Sequence, residues 1–415
     1  MKIAYLVPYV PNLIRTRSYN LILQLAALGH EVTVFTLGSG AQDKNDVEAL
    51  RSRGVRVVYE EQPLWRSLWN SLLAVPSRRP LQTVYSWNPK LAGELVRQLS
   101  APGAFDLLHV EHLRGSRYGQ YVRSKLPHVP VVWDSVDCIS YLFEQASRHG
   151  TGGLFGRFVT RFELNRTRRM EGRLIGEFDH VLVTSETDRK ALLGLVSPGA
   201  KSAPVSVLPN GVDLDFFRPN PEVQRDAETL VFSGKMSYHA NVSMVKHLVA
   251  EIMPRVWRER PEVRLVIVGK DPTPEVRALG ADSRVTVTGT VDDIRPYLWR
   301  GTIAVVPLVY GAGIQNKVLE AMACAAPVVT TSKTLSSLRA IPGRDILVAD
   351  GTDEFARAVL SLLDDDERRS ALGEAGSEYV RNNHSWTAIA RQLLVYYAQV
   401  INPSCYLGMK IDKNP

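Results

Sequence analysis

Short apolar runs alternate with stretches of helical periodicity along almost the whole chain. "KIAYLV", "EVTVFT", "VRVVY", "DLLHV", "VPVVW", "HVLVT" and "VSVLP" read as buried strands, and "TLVFSG", "VRLVIVG", "RVTVTG", "IAVVPL", "PVVTT" and "DILVA" as a second set. Between them, Tyr19–Leu28, Pro89–Leu99, Val242–Trp257 and Asp353–Leu363 place apolar residues on one helical face. This β-α-β alternation predicts an α/β protein with parallel sheets covered by helices on both faces. Seven strands and then six are too many for one sheet. The Pro-, Asn- and Gly-rich "LPNGVDLDFFRPNPEVQRDAETL" is the natural break. The expected domains are 1–215 and 216–385, two Rossmann-like doubly wound units facing a cleft, then a helix over 386–402 and a tail over 403–415. Ligands of such sheets bind beyond the carboxyl ends of the strands.

Two segments depart from this pattern. In "PLWRSLWNSLL", Leu64, Trp65, Leu68, Trp69, Leu72 and Leu73 form one helical stripe; in "LFGRFVTRFELNRTRRMEGRL", arginines interleave with Phe155, Phe158 and Phe162. Both are expected to pack on the first domain with solvated arginines, with contact at a membrane interface as the competing reading. The net charge of +7 is uneven: residues 1–217 hold 26 Lys/Arg against 20 Asp/Glu, and the rest 24 against 23. A basic first half suits an anionic surface or a phosphorylated substrate as well as an ordinary solvated exterior.

No apolar run reaches the ~18–20 residues of a membrane span. The run at the amino end is too short for a signal peptide. The expected compartment is the cytoplasm, including the inner face of the membrane. Cys138, Cys324 and Cys405 are too few and too scattered for a disulfide framework or a zinc site.

The richest chemistry lies in "YGAGIQNKVLEAMACAAPVV", residues 310–329. It approaches the dinucleotide fingerprint G-x-G-x-x-G, but Asn316 stands where the last glycine belongs. After Glu320 the next carboxylate is Asp345, too late for the ribose-binding acid of that motif. A nicotinamide or flavin is therefore not expected. Gly311 and Gly313 allow a tight turn, and a helix starting near Gln315 or Asn316 offers its free N–H groups to an anion. Lys317 in the first turn opposes the helix dipole and is therefore expected to serve a ligand or a distant carboxylate. Glu320, one turn in, leans back toward the same space. A phosphate on N–H groups and a diol on a carboxylate describe the diphosphate and ribose of a nucleotide. The bland reading leaves Glu320 as a solvated helix residue.

With "FSGKM", "VRLVIVG", "VTVTGTVDDI", "IAVVPL" and "GIQNKVLEAMACAAPVVTT" in this order, the chain resembles the retaining glycosyltransferases of GT-B fold, closest to the family 4 bacterial sugar transferases. "LPNGVD" resembles their interdomain segment and "SWTAIARQLLVYY" the last helix, which returns to the first domain. The resemblance implies transfer of a sugar from a nucleotide-diphosphate sugar to a glycan, glycolipid or small-molecule acceptor, with retention and without a bound metal or cofactor. It implies that Glu320 holds the donor ribose and that Gly313, Ile314 and Gln315, with Asn316 and Lys317 beside them, surround the phosphates and the sugar. Gly234 and Lys235 match the diphosphate contact, and Gly289, Thr290 and Val291 the loop that carries the base. Two departures stand out. Ala312 occupies a position where the family often has a glutamate, and Asn241 one where many members have a second lysine, a charge that Lys317 is placed to replace.

The first half is expected to receive the acceptor. Arg15 and Arg17 flank the start of a helix, suited to a phosphate or carboxylate and equally to solvent. Glu111 and His112 close the strand "DLLHV". His112 is a candidate for hydrogen bonding the donor sugar or the departing diphosphate, whereas His109 reads as a core histidine. Asp134 follows the next strand as an acceptor contact or a helix cap. Lys235 and His112 are the expected catalytic groups, acting on charge that grows in the transition state. A nucleotide-sugar epimerase of the same fold and a non-catalytic sugar-nucleotide-binding partner are the alternative readings. No nucleic acid is expected as a partner.

Overall fold

The computed structural model of the protein describes residues 1–148, 154–309, 316–336 and 338–402, excluding the side chains of 146–161. The chain forms two compact units: Met1–Pro209 together with the chain from Ile389, and Asn210–Ala388. The last helix, Trp386–Ile401, starts in the second unit and continues in the first.

The first unit is built on seven strands: β1 (Lys2–Val7), β2 (Glu31–Gly38), β3 (Arg56–Glu61), β4 (Leu107–Glu111), β5 (Val131–Val136), β6 (His180–Val183) and β7 (Val205–Val207). They lie in the order β3-β2-β1-β4-β5-β6-β7, every pair parallel. Their carboxyl ends therefore share one edge, and the order reverses beside β1 and β4, where such sheets bind ligands. Runs such as Ile3–Val7 are buried throughout, as strands covered on both faces must be.

The second unit repeats the plan with six strands: β8 (Thr229–Ser233), β9 (Arg264–Val268), β10 (Val285–Gly289), β11 (Ile303–Val306), β12 (Val328–Thr330) and β13 (Leu347–Val348). The order is β10-β9-β8-β11-β12-β13, again all parallel. The helical stretch expected over Val242–Trp257 is interrupted by a π segment at Leu248–Ile252. Pro254, two residues beyond it, cannot donate to the preceding turn, which gives the widening a local cause.

One expectation fails. In the helix Leu64–Ala74, the six stripe residues Leu64, Trp65, Leu68, Trp69, Leu72 and Leu73 are 56–65% exposed. Its buried residues are instead the small Ser67 and Ala74. Polar bonds fix this orientation: Gln62 Nε2 donates to Ser67 Oγ at 3.2 Å and Asn70 Nδ2 to the Trp87 carbonyl at 2.8 Å. The helix Pro89–Leu99 buries Leu91, Leu95 and Leu99 in the core of this unit, leaving the stripe uncovered. Among the described residues no helix is long and apolar enough to cross a membrane.

Candidate functional site

In the second unit the carboxyl ends of β8 and β9 are pressed together. Gly234 and Gly269 have φ of +152° and +148°, and a Cβ on Gly269 would stand 1.7 Å from the Gly234 carbonyl oxygen. Only glycine permits that approach. A Cβ on Gly234 would meet Asn241 Nδ2 at 2.7 Å and Lys317 Cε at 3.3 Å. Gly234, Asn241 and Lys317 thus converge on one spot. Asn241 Nδ2 donates to the Lys235 carbonyl at 2.9 Å, while its buried Oδ1 has no hydrogen-bond partner among the described residues.

Lys317 belongs to the helix Asn316–Ala323, and its ammonium lies 5.8 Å from the centre of the Phe232 ring. Burial lowers its pKa to about 8 against the opposing pull of Glu320. Glu320, one turn on and half-buried, is raised to about 7 by burial, with Lys317 acting the other way. Two groups that titrate near neutrality one turn apart are a functional-site signature. Asn316 Oδ1 accepts from Asn210 Nδ2 at 3.4 Å. Gly313, Ile314 and Gln315, and Ala312 with them, lie outside the described residues.

The helix is anchored from its far end by Arg225. One guanidinium nitrogen donates to the carbonyls of Leu298, Trp299 and Gly301, the other to those of Cys324 and Ala325. It caps two helix ends at once. Lys235 is half-exposed, 3.6 Å from Asp271. Gly289 turns with φ +73° and Val291 packs partly on the core, so that loop is also held at the carboxyl end of its strand.

In the first unit the predicted residues fall into two buried pairings and one strained turn. β4 runs through Glu111, so this side chain is not free beyond the strand: Tyr5 Oη donates to one carboxylate oxygen at 2.9 Å and Tyr9 Oη to the other at 2.5 Å. Burial, and then Asp134, raises its pKa to about 7. Arg17 is buried and donates from Nε and Nη2 to Asp134 Oδ2 at 3.0 and 2.7 Å. Asp134 is no helix cap; its other oxygen accepts from the Val136 N–H at 3.1 Å. The following helix, Ile139–Arg148, is capped from a distance, the N–H groups of Ile139 and Ser140 donating to Glu171 at 2.7 and 3.1 Å. Arg15 is exposed at the start of the helix Thr16–Ala27, its guanidinium 4.6 Å over the Tyr9 ring.

His112 and Val136, at the ends of neighbouring β4 and β5, have φ of +64° and +67°. Such non-glycine strain costs roughly 1–3 kcal/mol and gathers at functional sites. The ring Nδ1 of His112 accepts from the Arg114 N–H at 3.4 Å, leaving Nε2 to carry the proton. Burial, and then Arg114, lowers its pKa to about 4, so it is neutral at pH 7 and can donate a hydrogen bond. His109 is fully buried, stacked on Tyr5 at 4.2 Å, with Nδ1 2.9 Å from Tyr397 Oη in the last helix. Tyr5, Tyr9, Val136 and Tyr397 escape sequence reading: nothing in a strand's alternation tells which tyrosine meets a carboxylate about a hundred residues away. Among the described residues, no group of three or more His, Cys, Asp or Glu is gathered as metal ligands would be.

Comparison with known proteins divides the chain the same way. Residues 14–211 match the glycosyl transferase 4-like domain and residues 227–365 the family described as glycosyl transferases group 1. A D-inositol 3-phosphate glycosyltransferase of Kineococcus radiotolerans is 28% identical over 270 residues, 55% of this chain and 60% of that protein. A GDP-mannose-dependent alpha-(1-6)-phosphatidylinositol monomannoside mannosyltransferase of Mycobacterium tuberculosis is 29% identical over 242 residues, 53% of this chain and 62% of that one. The chain thus spans about three fifths of the length of these relatives. Among solved structures, Anabaena HepE in complex with UDP and glucose superposes with a TM-score of 0.67 at 15% identity, covering 96% of this chain and 99% of HepE. The fold is GT-B.

Proposed function

We propose that this chain, a GT-B glycosyltransferase by its two matched domains and its fold, moves a sugar from a nucleotide-diphosphate sugar to a hydroxyl of a glycan, glycolipid or small molecule, with retention of anomeric configuration and without a bound metal. One observation carries the reading: Lys317, Gly234 and Asn241 meet at one spot, and half-buried Glu320 lies one turn along the same helix as Lys317. That is a cation and a close-packed backbone for a diphosphate, with a carboxylate for a ribose diol. The relatives described as GDP-mannose-dependent and the UDP in the HepE structure support a nucleotide-sugar donor.

In the reaction, the bond between the anomeric carbon and the diphosphate oxygen breaks while the acceptor oxygen bonds to that carbon on the same face. The acceptor's proton passes to the departing phosphate. Lys317, Lys235 and the N–H groups opening the helix at Asn316 stabilise the charge that grows on the diphosphate. Neutral His112 donates a hydrogen bond to the transferred sugar or the leaving oxygen. The first unit receives the acceptor at the carboxyl edge of its sheet, near Arg15 and the Glu111 and Asp134 clusters.

Proton NMR of the product formed from an α-linked donor tests the stereochemistry and the metal requirement together. An α-linked product at an undiminished rate in excess EDTA is the expected outcome. A β-linked product, or a rate abolished by EDTA and restored by a divalent ion, contradicts the reading.

A further inference from the structure

We propose that the helix Leu64–Ala74 is an interfacial docking element that seats the first unit on an anionic lipid surface. Its six large apolar side chains are 56–65% exposed, and Val75 extends the patch at 46%. Arg166 links the neighbouring helix to it, stacking at 3.8 Å on Phe162, itself 37% exposed, and donating to the Val75 carbonyl at 2.7 Å. The exposure is built in. The hydrogen bonds from Gln62 and Asn70 hold the polar face of the helix against the protein, so the apolar face has nowhere to go but outward.

Charge identifies the occupant. From Gln62 to Asn88 the chain carries Arg66, Arg78 and Arg79 and no acidic residue. Arg78 and Arg79 are exposed, and Arg66 lies 5.3 Å over the Trp65 ring. Of the carboxylates beside this segment, Glu163 is turned inward, buried and accepting from the Leu81 N–H at 2.8 Å, and exposed Glu61 is paired with Lys44 at 2.5 Å. Indole and leucine side chains with a rim of arginines match the headgroup–acyl boundary of an anionic bilayer. A second copy of this chain fits less well. Two-fold pairing through this face would bring like-charged rims together, and a helix of 11 residues is about 16 Å long, little for a stable interface.

Position ties the element to the acceptor edge. The helix follows the carboxyl end of β3, and the loop after β1 adds Leu13 and Ile14, 74% and 70% exposed, on that same edge. A lipid-borne acceptor would be presented at the carboxyl ends of β4 and β5, near Glu111 and Asp134.

The test is co-sedimentation of the full chain with phosphatidylcholine vesicles, with and without about a third phosphatidylglycerol. The expected partition is about tenfold higher on the anionic vesicles, weakened by salt. It falls about tenfold in Trp65→Ser/Trp69→Ser and severalfold in Arg78→Glu/Arg79→Glu. These side chains are exposed, so unchanged circular dichroism and unchanged nucleotide-sugar binding verify that the variants are folded. Failure to bind anionic vesicles, equal binding to neutral ones, or undiminished binding by the tryptophan variant overturns the proposal. So does sedimentation velocity showing a wild-type dimer that the same pair of substitutions dissociates, which would make the occupant a second copy. Vesicle binding requires no donor, so its failure leaves the proposed transfer untouched.

Discussion

Burial lowers the pKa of Lys317 and raises that of Glu320, and each, one helical turn from the other, partly opposes the other's shift. Glu320, raised to about 7, stabilises the unliganded fold most at low pH, and that contribution is lost as pH climbs from the ordinary glutamate range to about 7. Donor binding runs the other way. The ribose diol needs the ionised carboxylate and the diphosphate needs the charged ammonium. Affinity for a nucleotide-sugar, whose diphosphate diester does not titrate in this range, should rise through about pH 7 and fall above about pH 8. Calorimetry from about pH 5.5 to about pH 8.5 reads the profile. In Glu320→Gln the acid limb should vanish, and the alkaline limb should move to lower pH because the carboxylate no longer supports the lysine's charge. An acid limb unchanged in that variant would remove Glu320 from the ribose. The residue types and spacing of this pair were legible in the sequence; their convergence with Gly234 and Asn241 was not, because it depends on how β8 meets the helix across about eighty residues.

At the scale of elements, the 13 strands among the described residues were readable because strands buried on both faces must be apolar along their length. The orientation of the helix Leu64–Ala74 was not. A hydrophobic stripe marks a helical face without saying what covers it, and here hydrogen bonds from Gln62 and Asn70 decide the matter. The helix Asn316–Ala323 was readable from its period, while its anchoring by Arg225 was hidden in a Pro- and Asn-rich linker that looks like loop. The crossing of Gly234 and Gly269 makes a sharp element-scale prediction. Gly269→Ala places a methyl into the Gly234 carbonyl and should destabilise the protein by about 1–3 kcal/mol in urea unfolding and weaken donor binding with it. Gly280→Ala, where the nearest atom is 3.8 Å away, should cost little. Equal stability of the two variants would show that the strand ends do not approach as described.

For the molecule as a whole, the two sheets share one plan, and each carries groups with shifted pKa values at its carboxyl edge. In the first unit Glu111, His112 and Asp134 are among them, in the second Lys317 and Glu320. The excess positive charge lies in the half that also carries the exposed tryptophans, separating a surface-seeking half from a near-neutral one. Base and sugar of the donor are not written in residue spacing, because they are chosen by side-chain contacts along loops rather than by the strand–turn–helix frame. The most direct test of the central claim is calorimetric titration of UDP-, GDP- and ADP-sugars into the full chain and into Glu320→Ala. Saturable binding of one of these donors is expected, with an affinity at least about tenfold lower in the variant, roughly 1.4 kcal/mol. Absence of binding by all three, or equal affinity in the two proteins, would contradict it.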